Sequence, residues 1–236
     1  MKHPILEIRP VSDARYEIFG LDLQRFSSLR FWVFDLEATG LDTSRERVTQ
    51  IAGVGVEGER ILEEEAFSQL VDPGEGITIP EEVQDLTGIT PERVRGAPPF
   101  SEAWQACLEA ARGFDLWIGQ SIFEFDVPLL EMELTRHGLE PTLPPMLDTV
   151  ALATALLGEP ERRWSTTALI DRFSVNTDGL RRHDALDDVK IAARILLPMI
   201  ELVRNEHHDR FVIPPDRPVS IKRHPPIRTR PEGNPR

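Results

Sequence analysis

The chain opens with about thirty weakly patterned residues, among which Ile18, Phe19, Leu23 and Phe26 predict one face of a short helix. The pattern then sharpens. Residues 31–36 (FWVFDL) form a continuous apolar run holding one acid, as expected of a strand buried on both faces. Thr39-Gly40-Leu41-Asp42 turns the chain. Residues 48–56 and 60–71 read as two more strands joined at Glu57-Gly58-Glu59. Helical spacing takes over next. Residues 80–86 predict a short helix. Ser101 is a suitable N-cap for a longer one carrying Ala103, Trp104, Cys107, Leu108 and Ala111. Residues 114–118 (FDLWI) read as another buried strand. Helices are predicted over 125–137, 148–157, from Ser165 to about Phe173, and over 185–197, where Pro198 should end or kink the last. Three strands, then a run of helices with one further strand among them, make a chain of mixed α/β content.

Past Phe211 the chain has seven prolines and little apolar content, which predicts a flexible or extended tail. The organisation expected is an N-terminal extension (1–30), a catalytic domain (31–205) and a Pro/Arg-rich tail (206–236). Residues 214–236 carry six Lys/Arg against two acids, a net +4, which leaves −17 for the rest of a chain of net charge −13. The tail suits partner binding or loose phosphate contact, or is a solvated terminus. It is expected to stand apart from any catalytic site.

An acidic body argues against broad nonspecific affinity for nucleic acid, which rests on Lys and Arg neutralising phosphates. It leaves a nuclease open, because metal ions can supply positive charge where one phosphate must sit. A single cysteine, Cys107, excludes an internal disulfide framework and a CxxC zinc site. The N-terminus lacks a long apolar segment, and no run approaches the roughly 20 residues of a membrane span. A cytoplasmic protein without membrane association is expected.

Five residues set beside core-forming runs carry the candidate chemistry: Asp35 and Glu37 in FDLEATG, Asp126 in FEFDVPLL, and His183 and Asp188 in HDALDDV. At i and i+2 on a strand, Asp35 and Glu37 project to one face. Carboxylates held together repel unless a cation lies between them. Each motif alone has a plainer explanation. A DxE can simply end a strand, and Asp126 can serve as a first-turn helix acid. Asp184 and Asp187 show that acids near His183 can be solvated. Together they form a set. Oxygen-donor acids suit hard cations such as Mg²⁺ or Mn²⁺. Two such ions roughly 3.5–4 Å apart serve phosphoryl displacement, and a histidine can take the proton of the attacking water.

At these residues the chain resembles the DEDDh, or DnaQ-like, 3′–5′ exonucleases, over about residues 31–200. FDLEATGLD resembles the family's first motif, FEFDVPLL its second and HDALDDVKIAARIL its third. The histidine-to-aspartate spacing of the third selects Asp188 over Asp187. The segment LVDPGEGITIPEEVQDLTGIT and Asp148-Thr149 also look like the family's. The resemblance implies a ribonuclease H-like fold, a mixed sheet flanked by helices. It implies Asp35, Glu37, Asp126 and Asp188 as ligands of two Mg²⁺ or Mn²⁺ ions, with His183 as general base. It implies release of nucleoside 5′-monophosphates from a 3′ end. Ala38, Thr39 and Leu41 become candidates for holding the terminal nucleotide, and Phe125 for packing beneath the site or near the penultimate base. DNA is the expected polymer and RNA the alternative, with a polymerase or repair complex as partner. A non-catalytic docking subunit is disfavoured by the complete set of five. Two departures stand out: Gly119-Gln120-Ser121 where Gly-His-Asn is common, and Trp164 where a tyrosine or serine is more usual.

Overall fold

The computed structural model describes residues 6–223. Its frame is a five-stranded sheet in the order β6-β5-β4-β7-β8. β4 (Arg30–Ala38), β5 (Val48–Glu57) and β6 (Arg60–Leu70) form an antiparallel meander, and β7 (Leu116–Gly119) and β8 (Met146–Asp148) continue it in parallel. This mixed sheet with helices on both faces is the ribonuclease H-like architecture.

Alternation along β4 splits the core. Phe31 and Val33 face one helical layer, dominated by α5 (Thr149–Leu157) and α7 (Ala185–Glu206). Trp32, Phe34 and Leu36 face the other, built from α3 (Phe100–Ala110) and α4 (Asp126–Arg136). A period of two therefore puts Asp35 and Glu37 on the α7 side. β7 pairs with β4 only from Phe31 to Val33. β7 ends at Gly119, close against the Phe34 carbonyl, and β4 runs on to Ala38 beside an opening at the strands' carboxyl ends. A crevice of this kind is where open α/β sheets bind ligands.

The smaller helices α1 (Glu81–Thr87) and α2 (Pro91–Val94) cross between β6 and α3, and α6 (Thr166–Phe173) precedes α7. Asp148 caps α5 and Ser165 caps α6, each accepting a backbone N–H. Ser101 is not a cap, because α3 begins one residue earlier with Pro99 in the cap position. α7 does not stop at Pro198. Ile195 and Leu196 before it and Met199, Ile200 and Val203 after it are all buried. That burial outweighs the roughly 3 kcal/mol an interior proline costs.

The two ends of the described chain depart most from expectation. The predicted helix near residues 18–26 is replaced by β1 (Glu7–Ser12), β2 (Arg15–Phe19) and β3 (Leu21–Gln24), followed by one 3₁₀ turn at Phe26–Ser28. The expected tail contributes β9 (Arg210–Ile213) and β10 (Val219–Lys222). β10 pairs antiparallel with β2, completing a three-stranded sheet β1-β2-β10, and β9 pairs with β3. Tyr16 and Ile18 alternate inward from β2, and Phe211, Ile213 and Ile221 come in from the opposite end of the chain. Neither end has enough apolar residues to bury alone; paired, they share the core of α5 and α7. The part of the tail beyond residue 223 lies outside the described residues.

Among the described residues no helix is long and apolar enough to cross a membrane.

Candidate active site

The third motif places its acids by the geometry of a helix start. Asp184 caps α7, accepting from the backbone N–H groups of Leu186 and Asp187 at 3.2 and 3.3 Å. Asp187 accepts from the Arg181 N–H at 2.9 Å. Asp188, one position on, turns toward the sheet. One carboxylate oxygen each from Asp35, Glu37 and Asp188 lie within 4.8 Å of one another. All three acids of this motif accept backbone N–H groups, but of the three only Asp188 also joins Asp35 and Glu37 in the cluster.

Asp126 stands beside this cluster and is buried. Its Oδ1 accepts the Leu36 N–H at 3.1 Å. That N–H lies between Asp35 and Glu37, on the edge of β4 beyond the end of β7. The loop delivering Asp126 is pinned from below. Asp148 accepts from the Phe123 N–H at 3.1 Å and from the Val150 N–H at 2.7 Å. Gln120 donates to the Trp164 carbonyl at 2.9 Å and meets the Thr149 hydroxyl at 2.5 Å. The two departures from the family pattern, Gln120 and Trp164, therefore bond to each other, and Trp164 is fully buried with Arg162 stacked over its ring.

His183 sits in the left-handed region (φ 64°), and its N–H donates to Asp188 Oδ2 at 2.7 Å. Its exposed side chain lines the same cleft as the four acids. Arg182 donates to Asp188 Oδ1 at 2.5 Å.

Burial acts strongly on Asp35, Glu37, Asp126 and the neighbouring Asp148. Burial, then the charges of Asp126, Glu37 and Asp188, push the Asp35 carboxyl well above the usual range, with Arg182 opposing. Burial raises Glu37 to about 7, helped by Asp188 and Asp184. Burial raises Asp126 to about 8 against the pull of its backbone hydrogen bonds. Asp148, wholly enclosed, rises to about 6. Carboxylates this short of positive charge, offering only oxygen donors at this spacing, fit a hard divalent cation.

The cleft has a volume of about 700 Å³, well within the range of about 300–1,000 Å³ for small-molecule sites. Leu41 and Phe125 line it, Leu41 with half its surface exposed. Ala38 and Thr39 do not reach the cleft wall. Both are buried, and Thr39 is committed to the turn after β4: its hydroxyl meets Glu46 at 2.5 Å and accepts the Arg47 N–H at 3.0 Å. That turn is clamped to α4 by buried Glu133, which accepts from Arg47 and Arg136, each at 2.7 Å. Arg136 also donates to the Glu46 carbonyl at 2.6 Å.

Sequence reasoning missed Arg182, Glu124, Asp13 and Arg223 on the cleft wall. Arg182 could have been found from its adjacency to His183. Asp13 and Arg223 carried no such signal, since only strand pairing between the chain ends brings them there. The expectation that residues 214–236 stand apart from the site is corrected by Arg223.

Carboxylates gathered from a central strand and the first turn of a helix, on a ribonuclease H-like sheet, define a hydrolase of phosphodiester bonds. The exonuclease family model RNase_T matches residues 32–196. DNA polymerase III subunit epsilon of Aquifex aeolicus is 33% identical over 171 residues, 72% of this chain and 80% of that protein. DNA polymerase III PolC-type of Streptococcus thermophilus is 29% identical over 202 residues, 86% of this chain but 13% of that much longer protein. Among solved structures, the nuclease domain of 3′hExo, described as a DEDDh family member bound to rAMP, superposes with a TM-score of 0.65 at 19% identity, covering 74% of this chain and 92% of that one. Exonuclease X in complex with 5′ overhanging duplex DNA gives 0.57 at 23% identity, covering 72% and 91%. The chain belongs to the DEDDh 3′–5′ exonuclease family.

Proposed function

We propose that the protein removes nucleotides from the 3′ end of DNA, acting on single-stranded or mismatched ends and releasing nucleoside 5′-monophosphates. The observation that carries this is the convergence of Asp35, Glu37 and Asp188, from a strand and a helix 150 residues apart, within 4.8 Å. DNA is favoured over RNA because the epsilon subunit, 33% identical over most of both chains, is a DNA polymerase subunit by name. A polymerase or repair complex is the corresponding partner.

In this reading Asp35, Glu37, Asp126 and Asp188 hold two Mg²⁺ or Mn²⁺ ions. Bound there, the ions supply charge that stabilises the attacking and leaving oxygens of an in-line displacement. The chain's own groups do the rest. Leu36 N–H fixes Asp126 at the rim of β4. The Asp188 carboxylate holds the His183 amide, which aims an exposed imidazole into the cleft as the base that takes a proton from water. Leu41 and Phe125 offer apolar surface on which the terminal base can stack.

The test is an activity panel on matched single-stranded DNA, duplex DNA with a mismatched 3′ end, and RNA, each with Mg²⁺ and with Mn²⁺, with products identified as nucleoside 5′-monophosphates. Release from both DNA substrates that disappears in Asp35→Asn is expected. Preferential RNA hydrolysis would transfer the reading to an exoribonuclease. No release, with Asp35→Asn identical to wild type, would leave a docking subunit.

A further inference from the structure

The sheet β1-β2-β10 lies outside the residues matched by the family model, yet it walls the catalytic cleft. Asp13, in the β1–β2 turn, and Arg223, just past β10, line it together with Asp35, Glu37, Asp126, His183 and Asp188. Arg223 is held by design of the pairing: its N–H donates to the Ala14 carbonyl at 2.9 Å, and its guanidinium lies 5.4 Å from the centroid of the Tyr16 ring.

The cleft is otherwise acidic. Among the described residues lining it, Arg182 and Arg223 are the cations. Arg182 is bonded to Asp188. Arg223 makes no ion pair among the described residues, and its Nε is buried without a hydrogen-bond partner among them. Beside it the Tyr16 hydroxyl is also buried and unpartnered among the described residues, within reach of the charges of Glu124 and Arg223. A strand in the cleft meets the exposed part of the half-buried Arg223 side chain, not its enclosed Nε or the Tyr16 hydroxyl, and Arg223 has no carboxylate partner among the described residues. A phosphodiester oxygen is the acceptor a guanidinium matches best, and an unpaired one is free to take it.

We propose that the β1-β2-β10 sheet is a second wall of the substrate site, on which Arg223 binds a backbone phosphate of the strand upstream of the scissile bond. This rests on the nuclease reading above and deepens it. An Arg there supplies the affinity that the acidic body withholds, at one phosphate rather than along the surface.

Two substrates separate this positioning role from chemistry: a short single-stranded deoxythymidine oligonucleotide, and the p-nitrophenyl ester of thymidine 5′-monophosphate, which has no upstream phosphate. Arg223→Gln should raise KM for the oligonucleotide about tenfold with kcat kept, so that the oligonucleotide-to-ester ratio of kcat/KM falls about tenfold. It should also lower the slope of log affinity against log salt by about one. Arg223→Lys should recover the salt slope and part of the affinity. Anisotropy of a fluorescein-labelled oligonucleotide in Ca²⁺ reads the same residue without turnover. A strand that is bound but never shortened would sink the nuclease reading alone, and the Arg223 effect on its Kd would still decide this one. An Arg223→Gln variant with wild-type KM, Kd and salt slope would overturn the proposal. So would equal losses on both substrates with a lowered urea midpoint, or an Arg223→Lys variant as impaired as Arg223→Gln; each marks a packing role over Tyr16.

Discussion

Stability without divalent cations should fall as pH rises, and Glu37 sets a magnitude. Burial and the charges of Asp188 and Asp184 move its carboxyl from 4.5 to about 7. That displacement corresponds to about 3 kcal/mol between its protonation states. The folded value lies above the unfolded one, so this stability is complete below about pH 4.5 and is lost as pH rises through about 7. Asp126, raised to about 8, and Asp148, raised to about 6, act in the same direction. Urea unfolding of EDTA-treated protein at pH 5 and pH 8 measures the effect. Wild type should be the less stable at pH 8. Glu37→Gln, neutral at both, should remove about 2.5 kcal/mol of the difference, or roughly 5–10 °C in Tm for a chain of this size. Mg²⁺ or Mn²⁺ added at pH 8 should restore stability to wild type, because ligation offsets the repulsion. A metal-free protein as stable at pH 8 as at pH 5, or a Glu37→Gln variant with the wild-type pH dependence, would refute the reasoning.

The site and its supports make three further predictions. His183→Ala should lower kcat by about 10²–10⁴ with Mn²⁺ affinity by calorimetry nearly kept, whereas Asp188→Asn should weaken Mn²⁺ binding itself; equal losses of affinity would remove the distinction. Glu133→Gln leaves Arg47 and Arg136 without their shared buried carboxylate and should cost about 3–5 kcal/mol in urea unfolding; a loss below 1 kcal/mol would mean that water replaces it. Gly119→Ala would put a Cβ 2.5 Å from the Phe34 carbonyl oxygen and 2.4 Å from Ile122. It should cost about 1–3 kcal/mol and lower activity by displacing the loop that carries Asp126. A neutral result would show that the loop shifts freely.

The frame of the catalytic domain was legible because its signals are local. FWVFDL reads as a buried strand from six residues, and Ser165 announces its helix by capping chemistry. Pro198 misled because local propensity says nothing of the sheet that buries the residues on both sides of it. The N-terminal extension misled for a related reason. Ile18, Phe19, Leu23 and Phe26 fit a helical face when viewed alone, whereas the alternation of Tyr16 and Ile18 gains meaning only when β10 supplies the partner strand. The engagement of the Thr39 hydroxyl by Glu46 and Arg47 was equally out of reach of the sequence, because it depends on how the turn after β4 closes.

The sequence alone determined which residue types could carry the chemistry, since a period of two puts Asp35 and Glu37 on one face whatever surrounds the strand, and its resemblance to the family's third motif pointed to Asp188. It could not determine how close the acids come, because that distance depends on where α7 lands on the sheet, nor which charges share their cleft. The structure decided both. It brought Asp188 across to β4, gave Asp126 the Leu36 amide, and joined the two ends of the chain so that Arg223 faces the acids. Contacts made across two hundred residues leave no periodicity to read; they come from burying apolar surface that neither segment can bury by itself.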